Sequence, residues 1–507
     1  MTHAPRPSSE APVTIVVTGG GTAGWMTAAA LSRFLQRGYR IRLVESDAIG
    51  TVGVGEATIP QIVNFNTALG IDEDAFLKAT QGTFKLGIEF VDWLRPGHRY
   101  MHAFGDVGRA IEGNPFIPYW LRAQELGVAK PLSAYSLNEM AARAERMHRG
   151  GPVTSPMVPA IPYAFHFDAG LYAAFLRRIA EEQGVERIEG RIVSVERDGT
   201  SGDVAALLLE GDRRVEGDLF VDCTGFRALL IGETLGVGFE DWGHWLPCDR
   251  ALAVPSDIDD SLTPYTRSTA KAAGWQWRIP LQHRIGNGLV YSSAHLSDDE
   301  AAATLLAGLD TEALADPRPI RFRTGRRREG WRGNVVAIGL ASGFLEPLES
   351  TSIHMIQSAI QRLLKLIPRA RATDAIRAEY NRQTDFEIER IRDVIILHYH
   401  ANQRDEPLWQ AVRAMTLPDS LRHKLDLWRA SGAITREHEE LFTEVGWFQV
   451  LVGQGVISAS YHPIADQINA ADLGEFMELV EALYRREALA LTDHAAFVAR
   501  HCAGAAA

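Results

Sequence analysis

The chain opens on an apolar run, VTIVVT at 13–18, which three glycines, Gly19, Gly21 and Gly24, interrupt before an alanine-rich stretch begins. A short β-branched run of this kind predicts a buried parallel strand, and the stretch after the glycines predicts a helix. A second apolar run, RIRLVES at 40–46, predicts the next strand, and DLFVDCTGF at 218–226 reads as a strand entering a glycine turn. NVVAIGLASGFLEPLESTSIHMIQSAIQRLLKLIP at 334–368 reads as strand, glycine-rich turn and helix. In its helical part Ile353, Ile356, Ile360, Leu363, Leu364 and Ile367 recur at helical spacing, and Ser350, Thr351 and Ser352 are the N-cap candidates. GWQWRIP at 274–280 alternates instead: Trp275, Trp277 and Ile279 share one face of a strand, and Gln276 and Arg278 the other. That pattern predicts a half-buried strand with an aromatic wall. From residue 370 onward the periodicity is mostly helical.

Composition narrows the class. The chain has 507 residues, 46% of them apolar, enough for two or three packed modules. Lys plus Arg number 52 against 64 Asp plus Glu, giving −12, a balance that argues against nucleic acid or an anionic membrane as the partner. The local basic stretch RFRTGRRREGWR (321–332) is expected to be a solvated loop. Three distant cysteines, Cys223, Cys248 and Cys502, suit reduced thiols. Residues 1–12 read as a disordered leader, no secretion signal is evident, and no apolar run is long enough to span a bilayer. A soluble, cytoplasmic protein is expected.

Gly19, Gly21 and Gly24 form G-x-G-x-x-G between strand and helix. The first glycine permits the tight turn, the second a close approach to a pyrophosphate, and the third the packing of helix on strand. The helix start stabilises phosphate charge. Glu45, ending the second strand, can accept hydrogen bonds from an adenosine ribose. The cofactor set is therefore Gly19, Gly21, Thr22, Ala23, Gly24 and Glu45, joined late in the chain by Gly339 and Leu340. That late return, the single fingerprint, and GVGEATIP (53–60), read as a loop lying close to a ligand, favour FAD over NAD.

With these motifs in hand, the chain resembles the flavin-dependent halogenases of the tryptophan halogenase type, over most of its length. The resemblance rests on GGGTAG (19–24), GVGEATIP, GTFKLGIEF (82–90), HAFG (102–105), GWQWRIP, FLEPLEST (344–351), HYHANQRDEPLW (398–409) and WFQVLVGQG (447–455). It implies FADH2 supplied by a separate NAD(P)H-dependent flavin reductase, oxygen, and chloride or bromide converted to hypohalous acid. The acid passes through a tunnel to a lysine beside an aromatic substrate.

On this resemblance Lys85 is the essential lysine, acting through a hydrogen bond to hypohalous acid or through a chloramine. Glu349, its matching carboxylate, favours the first route, because a nearby negative charge keeps the amine protonated. Glu349 would stabilise the cationic arenium or take its proton, with Ser350 beside it. The halide would sit on backbone N–H groups at Thr351 and Ser352, where many relatives carry glycine at the second position. His102 and Phe104 would sandwich the substrate, with Trp447 and Phe448 adding to the pocket. Trp275, Trp277, Ile279 and Pro280 would line the tunnel and hold organic substrate away from the flavin. The paired tyrosines that grip free tryptophan are not evident in LFTEVGWFQV (441–450), so a plainer indole or phenolic compound is expected. His398 and His400, two apart on a helix, point away from each other and are read as structural, with no metal.

The expected fold is α/β: a Rossmann-like FAD module interleaved with a mixed substrate-cavity sheet over 13–369, and a helical substrate-side subdomain over 370–507. A homodimer stays open. A flavin-dependent aromatic hydroxylase and a non-catalytic flavin-binding protein are the alternatives.

Overall fold

A computed structural model describes residues 12–49, 55–368 and 371–504. The leader, apart from Pro12, and positions 53 and 54 of GVGEATIP lie outside the described residues.

Among the described residues two large sheets carry the architecture. The first is six-stranded, in the order Trp331–Arg332, Val335–Ala337, Leu219–Asp222, Val13–Thr18, Tyr39–Glu45 and Glu186–Glu189. All its pairings are parallel except the edge hairpin at Trp331–Arg332. Val13–Thr18 lies in the middle of this sheet, and Ile15, Val16 and Val17 are fully buried, which is why the run carries no polar alternation. The helix Thr22–Phe34 leaves this strand through the glycines and packs on the helices Ala169–Glu182 and Ser352–Leu366. Of GVGEATIP, Gly55–Ala57 is not loop: it forms a strand against Ala164–Asp168, whose other neighbour is Thr83–Lys85.

The second sheet is seven-stranded, in the order Arg318–Arg321, Arg250–Ser256, Ile285–Tyr291, Gly274–Pro280, Thr266–Lys271, Gly87–Val91 and Arg99–Ala103. The tryptophan strand Gly274–Pro280 sits at its centre and is buried on both faces, not half-buried as its alternation predicts. Its polar face is covered because loops bring partners to it. Gln276 donates to the Gly308 carbonyl at 2.9 Å, and Arg278 pairs with Asp259 and with Asp310 at 2.9 Å. Gly288, on the neighbouring strand, leaves room for the Trp277 ring, which a Cβ there would meet at 2.0 Å.

The basic stretch 321–332 also departs from expectation. It contains the strands Gly325–Arg327 and Trp331–Arg332, Trp331 is fully buried, and Arg326 pairs with Asp385 at 2.6 Å and Glu389 at 3.1 Å. Opposite charges from the helix Asp374–His400 therefore absorb part of the cluster.

Beyond residue 371 the chain is mainly helical. Glu444–Gly453 packs on the strand Arg99–Ala103, and Ala470–Ala490 on the helix Leu137–Arg143. All three cysteines are buried and unpaired. Among the described residues no helix is long and apolar enough to cross a membrane.

Candidate active site

The glycine motif is built for close approach. Gly19 has φ +103°, and a Cβ there would strike the Cys223 carbonyl at 2.4 Å; one on Gly24 would strike the Gly19 carbonyl at 1.8 Å. Gly21, by contrast, faces open space, and the helix that follows has no side-chain cap, leaving its first N–H groups to a ligand. Gly339, with φ +71°, brings the late turn against Ala23, where a Cβ would stand 2.9 Å from the alanine methyl. Residues 316 positions apart thus meet at the helix start, an arrangement that fits a dinucleotide pyrophosphate. Glu45 ends its strand as expected, but its carboxylate is already engaged, by Arg187 at 2.5 Å and the Trp25 indole at 3.3 Å.

A second cluster forms around FLEPLEST. Lys85 ends the strand Thr83–Lys85 and is fully buried. Its Nζ donates to Ser350 Oγ at 2.7 Å and lies 5.5 Å from the centre of the Phe104 ring. Burial pushes the amine down from 10.5 to about 7, although the nearby Glu349 charge pulls the other way. The carboxylate alone would keep Lys85 charged, as the sequence suggests; here desolvation wins, and both forms are present at neutral pH.

Glu349 is held between two histidines. His102 Nδ1 donates to Oε2 at 2.8 Å, and His398 Nε2 donates to Oε1 at 2.5 Å. Burial raises the carboxyl, but His102 and His398 outweigh it and hold it at about 2. Burial also pushes His398 down, against the pull of Glu349, which favours the neutral ring. Its proton is on Nε2, because Nδ1 accepts from the Tyr100 hydroxyl at 2.8 Å. Tyr100 and His102 lie two apart on the strand Arg99–Ala103, hence on one face. Phe90 completes the stack at 4.9 Å from Tyr100 and 4.4 Å from His398. His398 and His400 do diverge along their helix, yet His398 is part of this cluster, a role its spacing from His400 does not reveal. The signal is the run of three polar rings, HYH, that closes the apolar stretch VIIL.

Ser350 adopts φ +57°, a left-handed conformation uncommon outside glycine. It turns the chain so that Ser350 faces Lys85 while the next residues start the helix Ser352–Leu366. Thr351 occupies the N-cap position without capping: its hydroxyl makes no bond to the helix and is buried without a partner. Neither Ser350 nor Ser352 caps the helix either.

The substrate-side residues divide. Phe104 adjoins Lys85, and Phe442 stands 6.0 Å from the His102 ring, which also lies over Gly446. Gln449 fixes the Ala103 backbone with two bonds of 3.1 Å. Trp447 is buried with its Nε1 unpartnered and its ring 5.4 Å from Lys424 Nζ. Phe448 packs instead on Trp120 and Trp428 in the helical core, because adjacent helical positions face different sides. A cavity of about 330 Å³ is lined by Gly105, the residue after Phe104, and by Asn138, Ile161 and Pro162 among others.

The tryptophan strand joins both halves. Trp275 and Trp277 are 6.1 Å apart, centre to centre. Trp275 Nε1 donates to Glu346, the first glutamate of FLEPLEST, at 2.8 Å, and Tyr399 donates to the same oxygen at 2.6 Å. At the far end, Thr83 donates to the Pro280 carbonyl at 2.7 Å, and Ile279 packs beside Gly55. Glu346 and Tyr399 were not foreseen.

Known proteins share this fold over nearly the whole chain. The family model described as tryptophan halogenase matches residues 14–470. Xcc4156, a flavin-dependent halogenase from Xanthomonas campestris, superposes with a TM-score of 0.95 at 49% identity, covering 98% of this chain and 100% of that one. BrvH, a flavin-dependent halogenase from Brevundimonas sp. BAL3, gives 0.92 at 46% identity, covering 97% and 99%. The tryptophan 6-halogenase SttH of Streptomyces toxytricini is 36% identical over 89% of this chain and 91% of its own length.

Proposed function

The chain belongs to the tryptophan halogenase family, flavin-dependent enzymes, and from that premise we propose that it uses FADH2, oxygen and chloride or bromide to halogenate an electron-rich aromatic such as an indole. The observation that carries this reading is a fully buried lysine amine, bonded to Ser350 and facing the charge of Glu349. A surface lysine would have no such surroundings.

FAD would be held by Gly19, Gly21, Thr22, Ala23 and Gly24, with Gly339 and Leu340 against them and Glu45 at the ribose. Delivered reduced by a separate NAD(P)H-dependent reductase, it would supply, with oxygen, the two-electron oxidation of halide to hypohalous acid. The N–H groups of Thr351 and Ser352 at an uncapped helix start suit the halide. The apolar wall of Trp275, Trp277, Ile279 and Pro280 excludes water and organic substrate from the oxidant's route.

At its end Lys85 donates a hydrogen bond to hypohalous acid, making the halogen more electrophilic. His102, Phe104 and Phe442 orient the aromatic ring, with Trp447 adding to the wall of the pocket. As the ring takes up halogen it becomes cationic, and Glu349, ionised at neutral pH, stabilises that charge and accepts the ring proton. His102 and His398 keep the carboxylate in place, and Tyr100 fixes the His398 tautomer. Phenylalanine at 442 offers no hydroxyl to an amino-acid backbone, which favours a plain indole over free tryptophan.

The test supplies photoreduced FAD, oxygen and bromide with indole or tryptophan and follows products by mass spectrometry. Brominated indole from the wild type is expected. Lys85→Ala should still oxidise reduced FAD and yield none. Hydroxylated product, or unchanged bromination by the variant, would overturn the reading.

A further inference from the structure

Glu346 has no part in the proposed chemistry, yet its surroundings are unusual for a carboxyl. It is fully buried, and among the described residues no lysine, arginine or histidine pairs with it. The groups that face it are Trp275 from the tryptophan strand, Tyr399 from the helix Asp374–His400, and, through Tyr399, the Cys248 thiol at 3.4 Å from that hydroxyl. Oε2 accepts from both Trp275 and Tyr399, while Oε1 is buried with no partner. A carboxylate would leave that lone charge uncompensated. In a carboxylic acid the proton has one place to go, because both lone pairs of Oε2 are used.

A second orphan lies five residues on, the buried hydroxyl of Thr351 at the helix start where the halide is placed. One short motif therefore holds two buried polar atoms that the protein itself leaves unsatisfied, an arrangement that calls for a ligand or a proton.

We propose that Glu346 is a halide-affinity-determining residue: as a neutral acid it lets a halide anion bind at the Thr351–Ser352 helix start, and as a carboxylate it repels the anion. This rests on the halide site proposed above. Interaction between like charges in so dry a setting is weakly screened. Burial pushes the Glu346 carboxyl up to about 7, with Tyr399 and Trp275 only partly opposing it, so the two states exchange near neutrality. Trp275 and Tyr399 hold the group and tune it.

The experiment measures bromide binding to the FAD-loaded protein from its thermal stabilisation, between pH 6 and 8.5, with sodium gluconate as the ionic-strength control. In the wild type, affinity should weaken about tenfold across this range with a midpoint near 7. Lys85, bonded to Ser350 and also titrating near 7, adds its own loss of positive charge over this range, so the reading is the difference between proteins. Glu346→Gln, whose amide mimics the neutral acid, should lose most of the wild type's pH dependence. Tyr399→Phe removes a bond that favours the charged form, so its midpoint should move to higher pH, and it serves if the glutamine variant does not fold. A flat wild-type profile, or the same pH dependence in Glu346→Gln, refutes the proposal. In parallel, a wild type that binds bromide as described but brominates nothing would refute the proposed function and leave this inference standing.

Discussion

Replacing Lys85 by methionine should make the protein more stable while abolishing halogenation. The amine falls from 10.5 to about 7 because it is desolvated. At roughly 1.4 kcal/mol per pH unit that difference amounts to at most about 5 kcal/mol. The unfolded chain holds the proton more tightly than the native state, so between pH 7 and 10.5 it binds more protons and stability rises with pH. Below about pH 7 the full penalty is present. Methionine matches lysine in length, carries no charge to desolvate, and forfeits the hydrogen bond to Ser350, worth about 1 kcal/mol. Glu349 keeps both histidine donors.

Net stabilisation of roughly 3–4 kcal/mol at pH 6.5 follows, shrinking to nothing or slightly below as pH approaches 10.5. Urea unfolding at pH 6.5, 8 and 9.5 reads this directly as a change in midpoint at constant m. A variant that is destabilised at pH 6.5, or whose offset from the wild type does not change with pH, would show that the native amine is not desolvated. The halogenation rate then distinguishes the two lysine roles. A hydrogen-bond donor loses activity as pH rises through about 7, and a chloramine route gains it.

Glu349→Gln should lower halogenation about 10²- to 10³-fold in kcat assays. Because the Glu349 carboxyl is depressed to about 2, the wild type should lose up to roughly 3 kcal/mol as pH falls from 4.5 towards 2, and the glutamine variant should not show that loss in acid unfolding. His398→Phe removes a donor from Glu349, so kcat should fall about tenfold with FAD affinity unchanged in a fluorescence titration; an unaltered kcat would exclude His398 from the cluster's work. Trp275→Ala together with Trp277→Ala should reduce halogenated product per reduced FAD consumed and cost several kcal/mol in a melt, about 3–5 per ring; unchanged halogenation by the folded variant would refute the gating role. Gly288→Ala should lower the melting temperature by several degrees, since its methyl meets the Trp277 ring at 2.0 Å and the Leu252 carbonyl at 2.5 Å.

The parts of this structure legible in the sequence are those whose cause is local. Val13–Thr18 is a strand because β-branched residues fill a buried position in a parallel sheet, and Gly24 is glycine because the Gly19 carbonyl occupies the space its Cβ would need. Lys85 and Glu349 were reached only through resemblance, since nothing in TFK says that its lysine is dry. What could not be read depends on partners far away in the chain. The polar face of GWQWRIP is buried only because Asp259, Gly308 and Asp310 fold over it. Helical spacing separates positions 398 and 400 correctly, but it says nothing about what each one meets. The two glutamates of FLEPLEST show why that matters. They stand three residues apart on a single 3-10 turn, and adjacent residues of one helix reach them, His398 to Glu349 and Tyr399 to Glu346. One carboxyl gains two histidine donors and drops to about 2; for the other, burial outweighs the bonds from a phenol and an indole, and it rises to about 7. Identical residue types in one motif thus differ in charge at neutral pH, Glu349 fully ionised and Glu346 about half protonated, and part of that difference comes from neighbouring residues of one distant helix.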